Sequence, residues 1–212
     1  DAASLIPRCA NRLKDKPREQ LLRGLLQRNV FSDSELLALF EQLEDWKLKL
    51  EFGEKYCRNF VNRPERCALF LDLARLEYEG KKYSAALVRC ETLLAQNEVY
   101  QYKDIKMLQA ETLSQLQRHE EARKCCQELL LAKLSTQEKQ QAVLMLARSW
   151  EQSQEHRKAI AVTWTVVPID GKAASGDIQR IKELLQLIIR NAKKINSQVD
   201  QQDAEEILNS IK

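Results

Sequence analysis

The side chains of this 212-residue chain that could do chemistry are six cysteines, at 9, 57, 67, 90, 125 and 126, and two histidines, at 119 and 156. A thiolate can act as a nucleophile, redox centre or metal ligand and an imidazole as a general base, but each role needs partners at short range. No CxxC is present and no Cys/His spacing closes around zinc, so no metal site is expected. Cys125 and Cys126 are neighbours, and on a helix neighbours point about 100° apart, which disfavours a bridge. Neither GxGxxG nor GxxxxGK supplies a phosphate cradle. The chain is therefore expected not to be an enzyme, to need no cofactor and to take no small-molecule substrate. Free thiols in a chain of this length suit a reducing compartment, cytoplasm or nucleus.

Composition narrows the architecture that must carry these residues. Five glycines and four prolines are too few for a sandwich, a barrel or a glycine-rich nucleotide fold, each of which needs many tight turns. With 44% apolar positions the chain can bury a core, and helices are what remains. The net charge of +3 is too near balance to argue for nucleic acid or membrane, yet it alternates locally. Residues 1–30 carry seven basic and three acidic groups, 31–62 four and seven, 172–194 six and two, and 198–212 one and four. Such alternation suits docking between protein surfaces. No run approaches the eighteen or so apolar residues of a membrane-spanning helix. The first residue is Asp1 rather than Met, so the sequence reads as a piece of a longer protein.

Helical periodicity runs almost throughout. Leu21, Leu22, Leu25 and Leu26 follow Pro17, and Leu36, Leu37, Phe40 and Leu43 follow a capping box of Ser32 and Glu35. Leu48, Phe52, Tyr56 and Phe60 make a third stripe, and Pro64 opens a fourth through Leu69 and Leu73. Gly80 punctuates, a turn falls at Gln117 and Arg118, and Ser135 with Glu138 makes a second capping box. Helices of twelve to fifteen residues on short connections mean antiparallel hairpins.

The hairpins repeat. Trp46, Tyr83, His119 and His156 open successive second helices at intervals of 37, 36 and 37 residues. Ala86, Ala122 and Ala159 share one register, Cys90, Cys126 and Thr163 a second, and Ala74, Ala110 and Ala147 a third on the first helices. Small residues at fixed registers let helix backbones approach closely, while large ones fill the groove to the next hairpin. That placement gives both histidines, Cys126 and the tryptophans Trp46, Trp150 and Trp164 packing roles.

These residues resemble the tetratricopeptide-repeat family. Carried over residue by residue, the stretch 67–96 offers Phe70, Leu73, Ala74, Tyr83, Ala86 and Cys90, and 140–168 offers Leu146, Ala147, Trp150, Ala159 and a closing Pro168. The stretch 103–133 keeps Ala110, Leu113, Ala122 and Cys126 but has Lys106 and Gln109 where the family prefers an aromatic and Leu. The pair at 33–62 matches in length and at Trp46, and the period is nearer 37 than the family's 34. The resemblance implies an all-α, right-handed α-solenoid of about five helical hairpins. Weakly repeat-like hairpins are expected over 1–62, repeats over 63–168, a linker over 169–176, and a capping helix with a short terminal helix over 177–212.

Activity in such a fold lies on helix faces. The inner positions are Leu71, Arg75 and Tyr78, then Met107 and Glu111, then Leu144, Arg148 and Glu151. Acidic groups among them oppose phosphates, which argues against nucleic acid, and a groove of Leu, Met, Tyr and scattered charge suits a peptide or amphipathic helix of a protein partner. The family's carboxylate clamp would fall on Leu71, Arg75, Leu108, Gln141 and Met145, where one cation survives. The expected function is thus a non-catalytic interaction scaffold in a larger intracellular assembly. The alternatives are a structural segment whose grooves its own chain fills, and RNA binding through the basic amino-terminal stretch.

Overall fold

The computed structural model describes residues 15–28, 31–59, 65–95, 101–168 and 178–211. Most of the basic amino-terminal stretch, Cys9, Phe60, Pro64 and the expected 169–176 linker lie outside the described residues. The chain divides into two compact units, residues 1–97 and 98–212, and every described element is an α-helix.

The first unit holds α1 (Asp15–Gln27), α2 (Asp33–Gln42), α3 (Trp46–Asn59), α4 (Glu65–Glu79) and α5 (Tyr83–Ala95). Helices adjacent in sequence from α2 to α5 pack on one another, and α1 lies on α3. The expected box at Ser32 forms, with the Ser32 hydroxyl accepting from the Glu35 N–H while the Glu35 carboxylate takes the Ser32 N–H at 2.7 Å. Asp45 starts α3 by accepting the Leu48 N–H at 2.7 Å. Leu22, Leu36, Leu48, Phe52, Tyr56 and Leu73 meet in one core. Burying each such side chain contributes about 1.5–3 kcal/mol before the entropy of ordering it is set against it.

The second unit holds α6 (Tyr102–Gln115), α7 (His119–Leu131), α8 (Thr136–Gln152), α9 (His156–Trp164), α10 (Ile178–Ile195) and α11 (Gln198–Ser210). Each packs on the next, and α6 and α10 also pack on α8. The second capping box forms at Ser135 and Glu138. Ile181, Leu184, Leu185, Leu187 and Ile188 bury one flank of α10 against Val143, Ala147 and Ala159, which is the capping expected of it.

The second helices begin at Trp46, Tyr83, His119 and His156, as the spacing predicts. The turns before three of them share one geometry that the sequence reading did not reach. Lys81, Gln117 and Gln154 each have φ of 60°. The next N–H in each case bonds back across the turn: Lys82 to the Glu77 carbonyl, Arg118 to Leu113 and Glu155 to Trp150, at 2.7, 2.9 and 2.9 Å. These are Schellman closures, which usually place glycine at the left-handed position. Asn196, with φ of 55°, closes α10 in the same way through Ser197 N–H to the Ala192 carbonyl at 3.0 Å, so α10 and α11 form a further hairpin. Gly80 serves otherwise: a Cβ there would lie 2.8 Å from the Trp46 ring, so its value is close approach.

Candidate protein-binding face

The small-residue registers hold. Ala74, Ala110 and Ala147, like Ala86, Ala122 and Ala159, are buried. Gly53 supplies the first member of the series continued by Cys90, Cys126 and Thr163, at intervals of 37, 36 and 37, a match the sequence reading missed. A Cβ on Gly53 would stand 2.6 Å from Leu73 and 3.1 Å from Phe40, so α2, α3 and α4 meet there.

The candidate chemical groups are absorbed by packing. Burial pushes the Cys126 thiol up to about 12 and the Cys57 thiol up to about 11, which keeps both protonated at neutral pH. The Cys125 thiol donates to Gln109 Oε1 at 3.3 Å, and Lys106 bonds Glu128 at 2.7 Å. These two bonds account for the polar residues where the family pattern has apolar ones. Asn191 donates its amide to the Leu187 carbonyl, which leaves its Oδ1 to accept from His156 Nδ1 at 2.7 Å. Trp164 donates to Asp200 at 3.0 Å, and the cations of Arg123 and Lys158 lie over the Trp150 ring, 4.4 and 4.7 Å from its centroid. Among the described residues no cluster of His, Cys, Asp and Glu could hold a metal ion. No described helix is long and apolar enough to cross a membrane.

The expected inner positions fall on α4 in the first unit and on α6 and α8 in the second. On α4, Leu71 is 1% exposed and belongs to the interior. Arg75 is exposed and bonds Asp72 at 3.2 Å, and the Tyr78 ring packs edge-on to Tyr83 at 5.4 Å. In the second unit α8 lies beside both α6 and α10, and polar bridges cross both seams. Lys103 reaches Glu138 at 3.5 Å, and Gln141 donates to Glu111 at 2.8 Å. Arg148 meets Glu183 at 3.4 Å, and Arg190 grips Glu151 through two nitrogens at 2.5 and 2.8 Å. Leu144, 7% exposed, packs into the core beneath them, and Met107 stays half-buried. So Glu111 lies at the α6–α8 seam and Arg148 and Glu151 at the α8–α10 seam, a polar row along α8, while the buried Leu71 and Leu144 offer little surface to a partner. The sequence reading missed Glu183 and Arg190, the α10 members of that row, 35 and 39 residues from their partners.

The row is electrically uneven. Burial raises the Glu111 carboxyl, with the Gln141 hydrogen bond opposing it. The Arg190 hydrogen bond holds Glu151 low despite its partial burial. The first unit has a more deeply set pair: Arg89 on α5 bonds Glu77 on α4 at 2.7 Å and Glu54 on α3 at 2.6 Å. The Arg89 and Glu77 side chains are 14% and 4% exposed. Phe70 lies against the Arg89 guanidinium at 5.0 Å.

Hairpins closed by a common turn and small residues at fixed registers define the tetratricopeptide-repeat type of helical solenoid, and that is the fold of this chain. Solved structures share it. The TPR-like repeats of a Podosopora anserina protein described as a kinesin light chain superpose with a TM-score of 0.63 at 15% identity, over 91% of this chain and 92% of that one. MamA residues 41 to the end from Desulfovibrio magneticus RS-1 give 0.58 at 14%, with the same coverages. PilF of Pseudomonas aeruginosa gives 0.59 at 16%, over 100% of this chain and 94% of that one. No protein-family profile and no curated protein matches the sequence.

Proposed function

We propose that the chain is a protein-interaction scaffold whose recognition surface in the second unit is the polar row of α6, α8 and α10. The observation that carries this is the exposure of the row's charges: the Arg148 side chain is 54% exposed and Arg190 55%, on helices whose backs are locked in a core. The Arg148–Glu183 pair, exposed on both sides, is worth about 0–1 kcal/mol, so a partner's carboxylates and amides can replace it at little cost. The rigid backs mean that little entropy is lost on this side of a complex. The partner that fits is a polypeptide segment with alternating charge, read by Glu111, Arg148 and Glu151, with Met107 as an apolar contact. On α4, Arg75 and Tyr78 offer the first unit a smaller surface of the same kind. Cytoplasm or nucleus remains the compartment that the unbridged thiols suit.

The experiment must spare the core. Aspartate at Leu71 or Leu144 would unfold a hairpin, whereas Arg148→Glu alters only the surface. Affinity capture with Arg148→Glu should lose partners that the wild-type chain and an Arg157→Glu control both retain, with the helical signal unchanged. Equal capture by all three would refute the reading.

A second reading, a segment that fills its own groove, draws on α10, whose Glu183 and Arg190 already answer Arg148 and Glu151. It predicts that no polypeptide depends on residue 148 for capture.

A further inference from the structure

Three carboxylates along the seams of α8 face cations, and a fourth does not. Glu138 meets Lys103 across the α6–α8 seam, and Glu183 and Glu151 meet Arg148 and Arg190 across the α8–α10 seam. Glu111, on α6, has an amide instead: Gln141 Nε2 donates to its Oε1 at 2.8 Å, and it pairs with no cation among the described residues. The side chain is half-buried, and burial raises its carboxyl with the Gln141 hydrogen bond opposing.

The cations of α6 and α8 are not placed to supply the missing charge. Lys103 and Lys106 on α6 are bonded to Glu138 and Glu128, and Arg148, two turns beyond Gln141 on α8, to Glu183. Lys139 lies about 160° round α8 from Gln141. The chain's two methionines flank the carboxylate instead: Met107 stands one turn before Glu111 on α6 and Met145 one turn after Gln141 on α8, both half-buried. Thioether chains adapt to the aliphatic stem of a long side chain, and such a stem can carry a charge to a group set back from the surface. An unmatched half-buried anion works against folding, and departures of this kind concentrate at sites of function.

We infer that Glu111, Gln141, Met107 and Met145 form a notch for a lysine or arginine side chain of the partner polypeptide, with the cationic head on the Glu111 carboxylate and the stem along the methionines. The inference rests on the row being the recognition surface, and it adds the residue that the partner must bring to it. Binding at Glu111 supplies a counter-charge that the fold lacks, whereas at Glu151 a partner's cation would have to displace Arg190.

Selection of random peptides displayed on phage against the whole chain, followed by calorimetry on synthetic copies, tests this. The captured peptides should share a lysine or arginine at one position. Glu111→Gln keeps the side-chain shape and does not weaken the fold, and it should weaken these peptides at least about tenfold. Norleucine in place of the shared basic residue should cost as much on the wild-type chain and almost nothing on Glu111→Gln. Lysine and arginine versions should both bind the wild-type chain more tightly than norleucine, and the tighter of the two names the preferred head. Peptides weakened by Arg148→Glu but not by Glu111→Gln would overturn this inference and leave the row standing. Peptides indifferent to both substitutions, or no captured peptide, would overturn both.

Discussion

The two units bind their helices together with the same residue types placed at different depths. In the first, Arg89 reaches inward to the buried Glu77 and also bonds the half-exposed Glu54, so three helices converge on one guanidinium. In the second, Arg148 and Arg190 cross the α8–α10 seam near the surface, over a core that, among the described residues, buries no charged side chain. Depth decides what each arrangement can do. A buried pair is costly to break because the remaining charge has no water, so it fixes one geometry. A rim pair holds little energy and is free to change partners. The first unit is on this account the more rigidly specified, and the second the better suited to exchange contacts.

Truncation of the arginines should break that contrast most sharply. Arg89→Ala leaves Glu77 buried and unpaired and should cost about 3–5 kcal/mol in urea unfolding, against about 0–1 kcal/mol for Arg148→Ala, whose pair with Glu183 is exposed on both sides. Similar losses would erase the distinction. Next in size is Gly80→Ala, whose methyl would strike the Trp46 ring; overpacking of this kind costs about 1–3 kcal/mol. A melting temperature unchanged by that substitution would contradict the close approach.

The carboxylates of the polar row should respond to pH with opposite sign. Glu111 is raised in the fold, so its ionisation opposes folding. Glu111→Gln should therefore be the more stable chain at pH 7, and its advantage should shrink as pH falls through the raised folded value and be gone below the ordinary value near 4.5. Glu151 is lowered, so its contribution is present above that value and is lost as pH falls through its folded one. Glu151→Gln should be the less stable chain at pH 7 and should approach wild type in acid. Parallel melting curves from pH 3 to 7 check both, and equal signs would refute the assignment. Smallest is the turn: Gln117→Gly or Gln154→Gly relieves a left-handed residue, offset in part by glycine's greater unfolded entropy. A gain of up to about 1 kcal/mol is expected.

Much of the fold was legible because repetition amplifies weak local signals. Trp46, Tyr83, His119 and His156 differ chemically, yet their spacing marks the same helix start, and both capping boxes were readable from Ser and Glu three residues apart. Gly53 escaped notice because its role depends on Phe40 and Leu73 crowding it from two other helices. The closing turns were hidden for a related reason, since Lys, Gln and Asn stand where glycine would announce a left-handed residue. The polar row was half legible. Register places Glu111, Arg148 and Glu151 on the inner side, but a solenoid helix is buried on two flanks, and a periodic pattern does not distinguish a leucine lining a groove from one filling a seam. Leu71 and Leu144 proved to be buried. Glu183 and Arg190 were unreadable as their partners, because the repeat pattern stops at Pro168 and so assigns no register to α10, although Arg148 and Glu183 stand 35 residues apart, as Lys103 and Glu138 do.

The central claim is that the row on α8 and α10 meets a protein while the outer side of α9 does not. Photo-crosslinking tests it directly, with benzoylphenylalanine placed at position 148 in one chain and at position 157 in another. The account predicts a discrete adduct to a polypeptide from position 148, lost when Glu111 and Glu151 are both changed to Lys in a chain that keeps its helical signal, and no such adduct from position 157. The same adduct from both positions, or none from 148, would contradict it.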